Sequence, residues 1–180
     1  MKKEELTTGE LRAGEERAAA ARPGENARPA MWNWLYPATY AIHLLEELWG
    51  GEGFTAWLAR VAGVQLSTHK FLVWNALALS LTALGVWLAS RYRHLRWLPL
   101  ACAVAFLLNA LSHLAASLYT NSYSPGLVSG LLLWLPLATL ALLHSTRTLG
   151  RRARRAGLLV GLLMHAVVVA LTLLGERLGN

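Results

Sequence analysis

Four long apolar blocks dominate this chain, and each approaches or exceeds the roughly 20 residues a helix needs to cross a hydrocarbon core about 30 Å thick. They run over about residues 70–90, 97–119, 127–144 and 156–174. A chain of 180 residues that is 55% hydrophobic and only 15% charged is too apolar for a soluble domain of that size. Its apolar residues must face lipid. A fifth and weaker block covers 31–49, with Pro37 in its early turns and His43, Glu46 and Glu47 near its end. The expected fold is therefore all-α, an integral membrane bundle of about five transmembrane helices over 31–180.

Gly50, Gly51 and Gly53 break the first block, and Phe54, Trp57, Leu58 and Val61 follow at the i, i+3, i+4, i+7 spacing of one helical face. This stretch predicts a short interfacial helix after the first span. Pro136 is expected to bend the fourth span. Residues 1–30 are polar, rich in Ala, Gly and Arg, and lack the apolar run of a signal peptide. They are expected to form a mobile cytoplasmic tail, with a short helix near Glu15 to Ala21.

The formal charge is +7, which raises the question of a nucleic-acid partner. The arginines argue against one, because they gather in two links between apolar blocks: Arg91, Arg93 and Arg96 beside His94, then Arg147, Arg151, Arg152, Arg154 and Arg155. The positive-inside rule accounts for both links if they are cytoplasmic. The N-terminus is then cytoplasmic, while residues 50–69, the turn near Tyr123 and the C-terminus are external. Trp32, Trp34, Trp87 and Trp97 fall at the inner interface and Trp49 and Trp57 at the outer one. The single cysteine, Cys102, lies inside an apolar block and reads as a small core residue.

Ionisable groups within spans are costly, on the order of 2.5–3.5 kcal/mol at the centre of a helix, so their placement carries information. At about 1.5 Å rise per residue, His43 lies roughly 9 Å below the outer end of span one, and His113 lies at the same depth in span three. Asn109 follows deeper in span three, Asn75 enters from span two, and His165 sits near the middle of span five. His43 can share a helical face with Glu46 or Glu47, but the two glutamates are about 100° apart. One of them can enter a site while the other orients a partner or meets water. Asn109, Ser112 and His113 repeat the i, i+3, i+4 spacing on the third span.

These residues carry a resemblance. The His43, Glu46 and Glu47 pattern, the Asn109 to His113 stretch and the following Tyr123-Ser-Pro-Gly126 are similar to the HXXEE family of membrane proteins, over about residues 31–146. The resemblance implies a multi-spanning protein of the bacterial cytoplasmic membrane and supplies candidate sites without a reaction.

Three functional readings follow. In the first, His43, Glu46, Glu47 and His113 are catalytic residues that hold a divalent metal such as zinc or iron, with Asn75, Asn109 and His165 in support, for hydrolysis of a lipid-like substrate in the outer half of the bilayer. In the second, the same His and Glu groups act without metal as the acid and base of an isomerase or hydratase. In the third, the polar layer serves a proton or ion transporter or a lipid-binding protein. A purely structural reading competes with all three, with the glutamates in the headgroup region and the histidines bonded to neighbouring helices. Membrane lipid and an apolar small molecule are the expected partners. Gly157 and Gly161, at small-xxx-small spacing, also permit a homo-oligomer. Phosphate-binding loops, nucleophile elbows and paired-cysteine motifs are missing from the sequence.

Overall fold

The computed structural model describes residues 31–174. The expected N-terminal tail, with its short helix near Glu15 to Ala21, and residues 175–180 lie outside the described residues.

The protein is an all-helical membrane bundle. A 3-10 turn, Met31–Trp34, leads into α1, Leu35–Trp49. Then come α2, Phe54–Ala62; α3, Thr68–Arg91; α4, Leu98–Thr120; α5, Leu127–Thr148; and α6, Arg151–Leu174. Local sequence sets several of these limits. Ser67 caps α3 by accepting the Lys70 N–H at 3.3 Å. Pro99 stands in the first turn of α4, where a missing N–H costs nothing. Asn121, one of the few side chains that tolerates the left-handed region, ends that helix at φ 47°.

Among the described residues four helical stretches are long and apolar enough to cross a membrane: Thr68–Arg91, Arg93–Thr120, Leu127–Thr148 and Arg151–Leu174. The expected first span differs. Its 15 α-helical residues rise only about 22 Å, and the 3-10 turn before them adds about 8 Å, so the two together just match a core of about 30 Å.

Two other expectations need adjustment. The fourth helix runs to Thr148, beyond the expected end near His144, and its irregularity is a π-helical turn over Gly130–Trp134. This wide turn lies immediately before Pro136, whose ring would otherwise press on the carbonyl of Leu132. The second basic link is mostly helical, because only Leu149 and Gly150 separate α5 from α6. Arg151, Arg152, Arg154 and Arg155 form the opening turns of α6, not a loop.

α4 is the most buried of the four long helices and packs against α3, α5 and α6. Gly157 and Gly161 of α6 press onto Leu100 and Ala101 of α4, and a Cβ at Gly161 would lie 2.5 Å from the Ala101 carbonyl oxygen. These small residues work within the chain, letting two backbones approach where lipid provides little hydrophobic drive for association. Further along, Ser112 of α4 meets His165 of α6, so these helices run parallel and start at the same end. Both arginine-rich links lie at that end.

Aromatic packing fills the centre. Phe106 stacks on Trp134 at 4.1 Å between ring centroids, while Tyr36 and Tyr40 of α1 meet Phe106 edge to face. A second cluster lies beneath α2, where Trp57 and Leu58 pack with Leu66 and Phe71. Trp57 is 5% exposed, so it is a buried packing residue and not a member of an aromatic belt.

Candidate metal centre

The buried face of α1 is one stripe: Tyr36, Tyr40, His43 and Glu47. Their i, i+4, i+7, i+11 spacing places aromatic packing and two ionisable groups on the same line. His113 faces this stripe from α4, with its ring centroid 5.2 Å from that of His43. The two histidines meet at one level, as their equal depth predicts.

Glu47 lies between them. Its Oε1 is 3.6 Å from His43 Nε2 and 3.4 Å from His113 Nε2, and all three residues are nearly inaccessible to solvent. One ligand atom from each falls within 4.8 Å of the others. Each imidazole thus turns Nε2 toward the carboxylate and Nδ1 toward a serine: His43 Nδ1 is 2.8 Å from Ser129 Oγ, and His113 Nδ1 is 3.0 Å from Ser124 Oγ.

Glu46 leaves the cluster, as its 100° offset requires. It accepts the Val128 N–H at 2.8 Å and the Ser129 N–H at 2.6 Å, so its carboxylate caps the start of α5 and complements the positive end of the helix. The Tyr123 hydroxyl donates to the same carboxylate. Burial, and then the Glu46 carboxylate itself, hold that hydroxyl well above the usual tyrosine range.

Asn109 Nδ2 approaches His43 Nε2 at 3.3 Å. An amide nitrogen can only donate, so Nε2 accepts there, and the imidazole proton sits on Nδ1, which donates it to Ser129 Oγ.

The turn before α5 brings these parts together. Gly126 has φ 100°, and a Cβ there would sit 2.8 Å from Cε1 of both His43 and His113. Only glycine suits this backbone and this approach. The HXXEE family model, described as a protein of unknown function with HXXEE motif, matches residues 34–141.

The chain belongs to the HXXEE family. No curated protein and no solved structure matches it. The HXXEE pattern acquires a physical meaning here: its histidine and second glutamate face the cluster, while its first glutamate ties α1 to the start of α5. Of the candidate residues, His43, Glu47 and His113 come together directly, and Asn109 touches His43. Asn75 stands one step away. Its Oδ1 accepts from the Tyr40 hydroxyl at 2.8 Å, and its Nδ2 donates to the Phe71 carbonyl at 2.9 Å. His165 bonds Ser112 at 3.3 Å on the far wall of the adjoining cavity.

Sequence reasoning missed four contributors. Ser124 and Gly126 lay within the Tyr123 to Gly126 motif, where a glycine just before a helix is a usable signal of close approach. Ser129 carried no distinguishing signal. Trp134 carries no signal beyond that of a packing aromatic, yet its ring stacks on His43 at 3.8 Å.

The chemistry of the arrangement is set by convergence of acceptors. A carboxylate oxygen and imidazole nitrogens facing one another in a buried site suit a positive charge between them. Two neutral imidazoles and a carboxylate suit zinc or iron. Serine hydroxyls on the rear nitrogens orient both rings, the role that outer hydrogen-bond partners have at metal sites.

Proposed function

We propose that this protein is a membrane-embedded metalloenzyme that hydrolyses an ester or amide of a lipid-like substrate. His43, Glu47 and His113 hold a divalent ion, zinc or iron, and Glu46 positions the site through Ser129. The observation that carries this reading is the turning of both Nε2 atoms toward one Glu47 oxygen, with both Nδ1 atoms on serines.

Distances favour an ion over a bare proton relay. Metal–ligand bonds of 2.0–2.1 Å at a tetrahedral ion give ligand–ligand separations of about 3.3–3.4 Å, close to the 3.4 and 3.6 Å seen here. A charge-assisted N–H···O bond would draw the same atoms to about 2.7–2.9 Å. Three protein ligands leave a coordination position for water or a substrate oxygen. The ion supplies Lewis acidity and lowers the pKa of water. In the net reaction water adds across the scissile bond: its oxygen bonds to the carbonyl carbon, and its proton ends on the departing alcohol or amine.

The metal-free reading uses the same atoms as an imidazole–carboxylate–imidazole relay for an isomerase or hydratase. A transporter is less well supported, because the cavity beyond the cluster has largely apolar walls. The arginine-rich end is assigned to the cytoplasm by the positive-inside rule, in a bacterial inner membrane, which puts the cluster in the outer half.

Metal analysis of detergent-purified protein tests the proposal. The parent should carry about one zinc or iron per chain, and His43→Ala and His113→Ala should each lose it. The metal-bound parent should release fatty acid from ester- or amide-linked lipid in vesicles, and chelation should stop the release. A metal-free parent, or a His43→Ala protein with undiminished metal, would sink the ligand set.

A further inference from the structure

The cluster opens into a cavity of about 570 Å³, within the size range of small-molecule sites. Its walls come mostly from α1, α3, α4 and α6, with Phe54 and Trp57 of α2 and Trp134 of α5. The polar groups gather toward one end, where His43, Glu47, Asn109 and His113 lie. The other end is apolar, with Leu81 and Ala78 of α3, Ala105 of α4, and Val160 and Met164 of α6.

α3 and α6 both line this cavity and flank α4, yet they make at most marginal contact with each other. Their separation leaves room between them at the level of the lipid chains. On α3 the lining runs from Phe71 to Thr82, a rise of about 16 Å. That matches one leaflet, about 15 Å, half of a hydrocarbon core about 30 Å thick.

The lining has the two-part character of a lipid. At one end His43, Glu47, Asn109 and His113 suit the oxygens found where a lipid's headgroup region joins its chain, and the walls beyond are hydrocarbon.

We infer that the cavity binds one acyl chain of a bilayer lipid, admitted sideways between α3 and α6, with the ester- or amide-bearing end of that chain at His43, Glu47 and His113. The reactive end of this assignment rests on the proposed metal centre. The chain site does not.

The test uses the full-length protein in liposomes containing a phosphatidylcholine with a diazirine near the middle of one acyl chain. After irradiation, adducts are located by peptide mass spectrometry. Ala105 and Phe106 report entry, since both line the cavity and are at most 9% exposed, beyond the reach of lipid on the outer surface. Leu159, 67% exposed, reports surface lipid.

Adducts should form at Ala105 or Phe106 as well as at Leu159. Ala78→Trp, which fills the apolar end, should reduce the interior adducts at least fivefold and leave those at Leu159 unchanged. Ala78→Leu provides a milder filling, and an unchanged gel-filtration profile identifies folded variants. Adducts confined to Leu159 and other outward positions would overturn the inference, as would equal interior labelling in the parent and a folded filled variant. His43→Ala separates the two proposals: interior labelling that survives metal loss supports the chain site independently. A parent that is labelled inside but never binds metal leaves the chain site standing and removes the reactive end.

Discussion

α1 and α6 make opposite uses of hydrophobicity. α6 has the highest mean hydropathy of the four long spans and is the least buried of them, with only Gly157 and Gly161 fully covered. α1 is too short to meet the same length criterion by itself, yet it buries Tyr36, Tyr40, His43 and Glu47 along one stripe. In water, the more apolar helix would occupy the centre. In lipid, apolar residues lose nothing by facing outward, so the interior falls to small residues, aromatic contacts and paired polar groups. The helix with the weakest membrane signal carries two members of the buried cluster, His43 and Glu47, and the strongest one is a wall.

Gly161→Leu should have the largest effect on this contrast. A side chain there meets the Ala101 carbonyl and Val104, so α6 must leave α4. Overpacking of this kind costs about 1–3 kcal/mol or more, and loss of the monodisperse folded species on gel filtration measures it. Leu159→Ala removes far more apolar surface from the exposed face of α6 and should leave the profile unchanged. If the two variants behave alike, α6 is held by its hydropathy and the contrast fails.

Glu46→Gln probes the other helix. Glutamine accepts hydrogen bonds at one oxygen only, so it cannot hold the Ser129 and Val128 N–H groups and the Tyr123 hydroxyl as the carboxylate does, and the seating of Ser129 against His43 loosens. Loss of an outer partner weakens metal binding by about 10- to 100-fold, readable by chelator competition. Ser129→Ala should produce a similar loss, and the double variant little more than either alone. Additive losses would mean that Glu46 acts only as a helix cap.

The smallest effect is expected at Glu52, in the turn before α2, where the carboxylate binds the exposed Arg60 of that helix. The Arg60 hydrogen bond holds Glu52 below its ordinary value of 4.5. A carboxyl lowered in the folded state contributes above its unfolded value, and that contribution fades as pH falls through the lowered one. Glu52→Gln should therefore lower thermal stability only slightly at neutral pH, since exposed pairs are screened, and remove the equally slight fall in stability below pH 4.5.

Much of this contrast is legible along the chain. Helix limits follow from the apolar blocks to within a few residues, except where α5 continues to Thr148 and α6 begins within the arginines. The shared depth of His43 and His113 follows from helical rise, and the divergence of Glu46 and Glu47 from helical turn. Trp57 misleads because its spacing describes an amphipathic face without saying whether lipid or Phe71 covers it. Ser129 is invisible for another reason. Nothing near it in sequence differs from any serine in an apolar helix, and its partner His43 is 86 positions away.

Hydropathy and helical periodicity are local properties, so the sequence by itself determined a membrane helix bundle, the level of its polar layer and the two directions open to the paired glutamates. Which direction each glutamate took was decided only when α5 arrived with bare N–H groups at its start and drew Glu46 away. Convergence of Glu47, His43 and His113 likewise depends on how α1, α4 and the Gly126 turn pack. Their partners lie tens of residues apart, and only the packed bundle brings such distant groups within bonding reach.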